Sequence, residues 1–238
     1  MQLRFTRVLL KLSGEALAGS APSGIDPAVL ERVAGEIVEI HRLGCSLGIV
    51  IGGGNILRGV SAAAQGADRA AADMRGMLAT VFNALAMQEM LRRLGVEARV
   101  LSAIEVPALA EPCRRQLALE HLEAGRIVLF AGGTGNPFFT TDTAAALRAL
   151  EIGAGALFKA TKVDGVYDKD PKQHPDAIFL SRLTYDEVLL RNLAVMDATA
   201  VSLCREHRLP VLVFNLFRPG TMKRAVLGES VGTLVAAS

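Results

Sequence analysis

A glycine-rich turn between two apolar runs constrains this chain more than any other feature. The run Ile127 to Phe130 predicts a buried strand, and the alanine- and leucine-rich run Thr143 to Leu150 predicts a helix. Between them, Ala131 to Asp142 reads Ala-Gly-Gly-Thr-Gly-Asn-Pro-Phe-Phe-Thr-Thr-Asp. Glycines bring bare N–H groups close to a ligand, and the threonines fall where a helix N-terminus attracts anions. We interpret this stretch as a pocket for a phosphorylated substrate; a glycine cluster alone supports only a strand-to-helix loop.

A second strand places a lysine beside a turn. The apolar run Val8 to Leu12 carries Lys11 and continues into Ser13-Gly14-Glu15. This pattern predicts a fixed ammonium group at the mouth of a sheet, where parallel-sheet proteins hold ligands. The alternative is an edge strand whose lysine is solvated.

A third strand, Leu47 to Ile51, runs into Gly52-Gly53-Gly54-Asn55, with Arg58-Gly59 just beyond. The usual phosphate fingerprints, GxxxxGK[ST] and GxGxxG, are both missing from the sequence. P-loop NTPases and Rossmann dehydrogenases are therefore disfavoured.

Alternating strand and helix patterns favour one α/β unit over residues 1–238. They predict helices at Pro27 to Leu43 and Asp73 to Leu94, and a last strand at Val231 to Val235 that closes the sheet. The apolar residues of 73–94 cover more than one stripe, which predicts burial on two sides or a subunit interface.

Composition excludes several classes. The 238 residues carry a net charge of +2, which gives no reason to expect a nucleic-acid or membrane partner. The scattered residues Cys45, Cys113 and Cys204 suit a reducing cytosol and not a disulfide frame or zinc site. The longest stretches without a charge have 15 residues, fewer than the roughly 18 of a membrane span. We expect a cytoplasmic protein, and the hydrophobic fraction of 51% hints at subunit contacts.

These residues suit phosphoryl transfer without a P-loop. Such transfer needs cations and N–H donors at the moving phosphate and often no catalytic base. Lys11 and Arg58 can supply the cations, and Gly14, Gly53 and Gly54 can supply the donors.

The remaining groups have separate expected roles. Asp73 suits ribose hydroxyls, Asp142 is expected beside Lys11, where it could orient that side chain, and Mg²⁺ would be carried by nucleotide phosphates. In the polar loop Lys162 to Pro171, Tyr167 and Asp170 could hold a nucleotide base, although spacing alone favours a solvated hairpin.

Four motifs together resemble the bacterial uridylate (UMP) kinases, a family of the amino acid kinase superfamily. The resemblance covers essentially the whole chain and rests on these segments: Lys11-Leu12-Ser13-Gly14-Glu15, Ile51-Gly52-Gly53-Gly54-Asn55 with Arg58-Gly59, Gly133 to Asp142, and Lys159-Ala160-Thr161-Lys162-Val163-Asp164-Gly165-Val166-Tyr167. It implies a three-layer α/β/α sandwich around a mainly parallel sheet, and transfer of the ATP γ-phosphoryl group to UMP with Mg²⁺ in pyrimidine nucleotide synthesis. It also implies a cytoplasmic homohexamer with GTP and UTP as candidate effectors.

The resemblance assigns residues to sites. The expected catalytic residues are Lys11, Arg58 and Asp142. The expected ATP-binding residues are Lys11, Leu12, Ser13, Gly14, Gly54, Arg58, Thr161, Tyr167 and Asp170. The expected UMP-binding residues are Gly53, Asp73, Thr134, Gly135, Asn136, Pro137, Phe138, Phe139, Thr140 and Thr141. The candidate effector loop comprises Gly19, Ser20, Ala21, Pro22, Ser23 and Gly24, and its interior contains no pattern specific for GTP.

Two other functions stay open. Relatives on the same scaffold phosphorylate amino acids, carbamate or isopentenyl phosphate, and a fold does not determine the acceptor. The run Asn136 to Asp142, with Asp73, favours a nucleoside monophosphate. A non-catalytic nucleotide- or oxyanion-binding protein would not need Lys11, Arg58 and Asp142 together.

Overall fold

The computed structural model describes residues 2–57, 68–171 and 173–237. In these ranges nine strands form one sheet and two more form a hairpin. The sheet strands are β1 (Arg7–Leu12), β2 (Ser46–Ile51), β3 (Ala98–Ser102), β4 (Glu111–Pro112), β5 (Ile127–Ala131), β6 (Ala156–Thr161), β9 (Arg182–Thr184), β10 (Val211–Asn215) and β11 (Thr233–Ala236); the hairpin strands are β7 (Val166–Tyr167) and β8 (Phe179–Leu180).

The sheet is mainly parallel, as predicted. Its order is β4-β3-β5-β2-β1-β6-β10-β11-β9, and β10–β11 is the one antiparallel pair among the neighbours described. Strand β1 is therefore central, and Lys11 is not on an edge strand. The prediction that the last strand closes the sheet was wrong, because β9 lies outside β11. Strand β9 has only three residues, too few to give a periodic hydrophobic pattern in the sequence.

Eight helices are present in the described ranges: α1 (Gly14–Leu17), α2 (Pro27–Arg42), α3 (Arg69–Arg93), α4 (Arg115–Glu123), α5 (Thr141–Glu151), α6 (Tyr185–Leu190), α7 (Ala198–Glu206) and α8 (Thr221–Leu227). Helix α2 begins at Pro27, as the sequence predicts, and Asp26 caps it by accepting from the N–H groups of Ala28 and Val29. Helix α3 begins four residues before the predicted Asp73, because Asp68 accepts a hydrogen bond from the N–H of Ala71 at 2.9 Å.

The helices cover both faces of the sheet. Helices α2, α3 and α8 pack into one apolar cluster and α4 to α7 into a second, which confirms the three-layer sandwich. Along β1, Leu10 and Leu12 face the first cluster, while Leu9 faces the second. Because strand side chains alternate, Lys11 shares the side of Leu9, on which α5 lies.

Helix α3 leaves apolar residues uncovered in the single chain. Met74, Leu78 and Phe82 are 43%, 52% and 57% exposed, and their spacing of four puts them on one face; we call them the α3 stripe. The single chain therefore buries α3 on one side. Of the two alternatives that the sequence predicts, burial on both sides within the chain is wrong, and a subunit interface stays a prediction. Within the described ranges, none of the helices combines the length and apolar character of a membrane span.

Candidate functional site

Two lysines share one carboxylate at the centre of the sheet. Strands β1 and β6 pair with Lys11 beside Lys159, and Asp142 lies in the first turn of α5. The Nζ of Lys11 is 2.7 Å from Oδ1 of Asp142, and the Nζ of Lys159 is 2.6 Å from its Oδ2. The three side chains are only 12–15% exposed. We call them the lysine–aspartate cluster, and it confirms the expectation that Asp142 lies beside Lys11.

Charge and burial act against each other in this cluster. Burial alone would raise the pKa of Asp142, but the charges of Lys11 and Lys159 outweigh it and lower that pKa. Burial lowers the pKa of Lys159, and the charge of Lys11 acts in the same direction against the attraction of Asp142. The two lysines thus stabilise the ionised form of the Asp142 carboxylate.

Lys159 belongs to one of the four motifs, but the sequence analysis assigned it no role. The signal was available, because Lys159 interrupts the apolar strand β6 as Lys11 interrupts β1. The Nζ of Lys159 also donates to the carbonyl of Val195, which fixes its direction.

Asp197 was missed altogether. It caps α7 by accepting from the N–H of Ala200 at 3.0 Å, and it accepts from the hydroxyls of Thr140 and Thr143. The bond from Thr143 joins residues 54 positions apart, so no local pattern could predict it. This carboxylate ties the N-terminus of α5, and hence Asp142, to α7.

The first two glycine turns touch each other. A methyl group at Gly14 would lie 2.2 Å from the carbonyl oxygen of Gly52, and one at Gly53 would lie 2.7 Å from the carbonyl oxygen of Gly76 in α3. Only glycine permits so close an approach. Leu12 is buried at the end of β1, Ser13 is the N-cap of α1, and Gly54 follows Gly53 after β2. The loops after β1 and β2 therefore meet beside Lys11.

The stretch Thr134 to Thr141 connects β5 to α5 and reaches α3. Thr140 caps α5 by accepting from the N–H groups of Asp142 and Thr143, which confirms the predicted N-cap. Phe138 has a left-handed φ of 73°, and its N–H donates to Oδ2 of Asp73 at 2.9 Å. Arg69 donates through Nε to both oxygens of Asp73, at 2.9 and 3.0 Å.

The same loop leaves two aromatic rings largely in solvent. Phe138 and Phe139 are 66% and 51% exposed. Gly135, at φ 80°, lies so close to the carbonyl oxygen of Ala103 that a methyl group would be 2.9 Å from it. The structure thus brings Asp73 and the residues Thr134, Gly135, Asn136, Pro137, Phe138, Phe139, Thr140 and Thr141 into one region, as the sequence suggested.

The predicted base-binding residues lie on the other side of β1. Thr161 ends β6, and its hydroxyl donates to the carbonyl of Val163 at 2.8 Å. Tyr167, in the β7–β8 hairpin, packs edge-to-face on Phe179 with ring centroids 5.5 Å apart. Asp170 follows in the connecting loop, where its carbonyl accepts from the N–H groups of residues 173 and 174. A cleft of about 1010 Å³ adjoins Tyr167.

Loop 19–24 lies between α1 and α2 and contacts the second glycine turn. The N–H of Gly24 donates to the carbonyl of Asn55 at 2.9 Å, and residues 20–23 are exposed. Arg58 lies outside the described residues, so its predicted role stays a prediction. Among the described residues no three His, Cys, Asp or Glu side chains gather as a metal site would require.

A sequence model of the amino acid kinase family matches residues 6–215. Among solved structures, UMP kinase from Bacillus anthracis is 44% identical, with a TM-score of 0.94 over 98% of this chain and 96% of that one. UMP kinase from Ureaplasma parvum is 37% identical, with a TM-score of 0.91 over 98% and 100%. Uridylate kinase from Archaeoglobus fulgidus is 29% identical, with a TM-score of 0.74 over 96% and 99%.

Proposed function

This chain belongs to the amino acid kinase family, and from that premise we propose that it transfers the γ-phosphoryl group of ATP to UMP, giving ADP and UDP. The observation that carries the proposal is the lysine–aspartate cluster at the carboxyl ends of the central strands, where parallel sheets hold ligands. The choice of UMP is supported by the likeness to two UMP kinases over 98% of the chain.

In this proposal Lys11 and Lys159 stabilise the negative charge on the phosphoryl group during its transfer. Phosphoryl transfer needs little covalent help from a protein, and pre-oriented cations and N–H donors provide most of the stabilisation. Asp142 holds both ammonium groups next to each other, since each pairs with a different oxygen of its carboxylate. In this proposal Gly14 and Gly54, whose turns meet beside Lys11, supply N–H donors to the phosphate.

The acceptor site lies between α3 and Thr134 to Thr141 in this proposal. Asp73 suits ribose hydroxyls because a carboxylate accepts hydrogen bonds but repels phosphate. ATP would lie toward Thr161, Tyr167 and Asp170, with Arg58 a further phosphate ligand. Mg²⁺ would arrive with the ATP phosphates, in keeping with the usual preference of this ion for phosphate and water oxygens.

We extend the proposal to a cytoplasmic homohexamer in pyrimidine nucleotide synthesis, with GTP and UTP as effectors. The α3 stripe supports self-association, because three large apolar side chains on one helix face are costly to leave in water. The free Cys45, Cys113 and Cys204 suit a reducing compartment.

The test is ADP release by purified protein with Mg-ATP and, separately, UMP, CMP, AMP, glutamate, aspartate and carbamate. Release with UMP alone is expected. Release with an amino acid or carbamate would keep the family and overturn the acceptor. Nucleotide binding without release across the panel would replace the enzyme with a non-catalytic binding protein.

A further inference from the structure

Two buried asparagines form a closed pair beneath the glycine turns. Asn55 is 2% exposed and Asn83, on α3, is fully buried. The Nδ2 of Asn83 donates to Oδ1 of Asn55 at 2.7 Å, and the Nδ2 of Asn55 donates to Oδ1 of Asn83 at 3.1 Å. Each side-chain amide therefore donates one N–H to the other amide and accepts one hydrogen bond from it.

The remaining N–H of each amide binds a different loop. Asn83 donates to the carbonyl of Gly52 at 2.7 Å, and Asn55 donates to the carbonyl of Gly24 at 2.8 Å. Only one orientation of each amide satisfies all four bonds, because a flipped amide would set oxygen against oxygen. The pair is thus a rigid connector between α3, the turn Gly52 to Gly54 and loop 19–24.

The pair also touches the turn after β1. A methyl group at Gly14 would lie 2.5 Å from Oδ1 of Asn55, so this oxygen lies against the backbone that follows Lys11. No group of the pair has a hydrogen-bond capacity left for a ligand, apart from second lone pairs on the oxygens. Any effect on the reaction must therefore pass through the turns.

We propose that Asn55 and Asn83 are positioning residues that hold the turn Gly52 to Gly54 for phosphoryl transfer and fasten loop 19–24 to it. The proposal rests on the proposed function, since the turn is assigned there to the transferred phosphate. In this proposal the two asparagines couple the turn to loop 19–24, so that a change in the geometry of one changes the geometry of the other.

The kinetic test compares variants on the same helix. Asn83→Ala should lower kcat about 100-fold with small changes in KM for ATP and UMP, because misplacement by about 1 Å can cost that much. Gln88→Ala is the matched control: Gln88 is also an amide on α3 and donates to a strand carbonyl, that of Ala98, at 2.9 Å. Its kcat should stay within about twofold of the unsubstituted protein.

Two further variants separate hydrogen bonding from packing and from folding failure. Asn83→Asp keeps the shape but removes both donors, so its kcat should fall at least as far as that of Asn83→Ala. Asn55→Ala leaves the bond from Asn83 to Gly52 in place, and we expect a smaller loss, about 10-fold. Folded populations are verified by circular dichroism. A kcat for folded Asn55→Ala and Asn83→Asp equal to that of Gln88→Ala would overturn the proposal.

The link to loop 19–24 has its own optical readout. The chain contains no tryptophan, so Ala21→Trp, at an exposed position, introduces a single reporter. Mg-ATP should shift its emission. The shift should shrink when Asn55→Ala is added, because only the backbone bond from Gly24 to residue 55 then remains, and it should be unchanged with Gln88→Ala. If Mg-ATP leaves the tryptophan emission unchanged while calorimetry shows that Mg-ATP binds, the link between the turn and loop 19–24 is overturned. If the unsubstituted protein releases no ADP in the presence of UMP, the proposed function itself is refuted. This outcome is distinguishable from failure of the positioning proposal, which is measured by differences between variants.

Discussion

The lysine–aspartate cluster and the loop Thr134 to Thr141, which is proposed to hold the acceptor, differ in burial and in the number of contacts that hold them. The cluster is 12–15% exposed and is held by two ion pairs between the sheet and α5. The loop exposes two aromatic rings and is held to α3 through one N–H of Phe138 on Asp73. The cluster is held by charges within the protein, whereas Asp73, the proposed ribose ligand, already accepts from Arg69 and from the N–H of Phe138. We expect substitutions in the cluster to affect kcat and stability, and substitutions in the loop to affect KM for one substrate.

The largest expected effect is in the cluster. Lys11→Ala should lower kcat about a thousandfold, because a pre-oriented charge is lost at the moving phosphate. Steady-state ADP release measures it. Lys223→Ala is the control, since Lys223 is also paired with a carboxylate, that of Glu39, but is 36% exposed. Equal turnover in the two variants would remove Lys11 from the mechanism.

Asp142→Asn should affect both activity and stability. Two buried ammonium groups would lose their common counterion, at a cost of about 3 kcal/mol in the free energy of unfolding. Because folding lowers the pKa of Asp142, its carboxylate stabilises the protein above the ordinary aspartate pKa of about 3.9, and this contribution is lost as pH falls through the lowered value. Denaturation of both proteins across pH measures it: the gap should be wide at pH 7 and close in acid. A gap independent of pH would mean that the charge of Asp142 is not what stabilises the cluster.

Asp73→Asn tests the other side of the comparison. We expect KM for UMP to rise about tenfold, the cost of weakening a hydrogen bond to a charged acceptor, with KM for ATP unchanged. Glu89→Gln, an exposed substitution on the same helix, should change neither constant. A parallel rise in both KM values would place Asp73 outside the acceptor site.

The smallest effect concerns the strained residue of the loop. Phe138→Gly should raise the free energy of unfolding by about 1 kcal/mol, because a left-handed φ is costly for every residue except glycine. Phe139→Gly, outside the left-handed region, should lower it by about 0.5–1 kcal/mol. Chemical denaturation measures both. The same direction of change in the two variants would show that φ at Phe138 stores no strain.

The sequence was most informative where its signals are local. The strands that end at Leu12, Ile51 and Ala131, the cap at Asp26 and the cap at Thr140 follow from residues a few positions apart. The two-residue β4 and three-residue β9 leave no periodic pattern, and β9 falsified the predicted sheet edge.

The supporting residues of the site depend on distant contacts. Asp197 and Asn83 act across 54 and 28 positions, which no motif spans. The juxtaposition of Lys11 with Lys159 was recoverable, because both interrupt apolar strands near the carboxyl ends of those strands. That residues 1–238 form one domain, and that the assigned residues bind ATP and UMP, stay predictions.

Helix α3 contributes both to the exposed α3 stripe and to the support of the glycine turn. Phe82, in the α3 stripe, and Asn83, which holds the glycine turn, are adjacent residues with opposite exposure, 57% and 0%. If a second copy covers the stripe, association and nucleotide binding act on one rigid rod, and by mass action neither can be biased without the other. Specific activity would then depend on total protein concentration. Each bound nucleotide that tightens the turn would lower the subunit dissociation constant by the factor by which assembly tightens its binding.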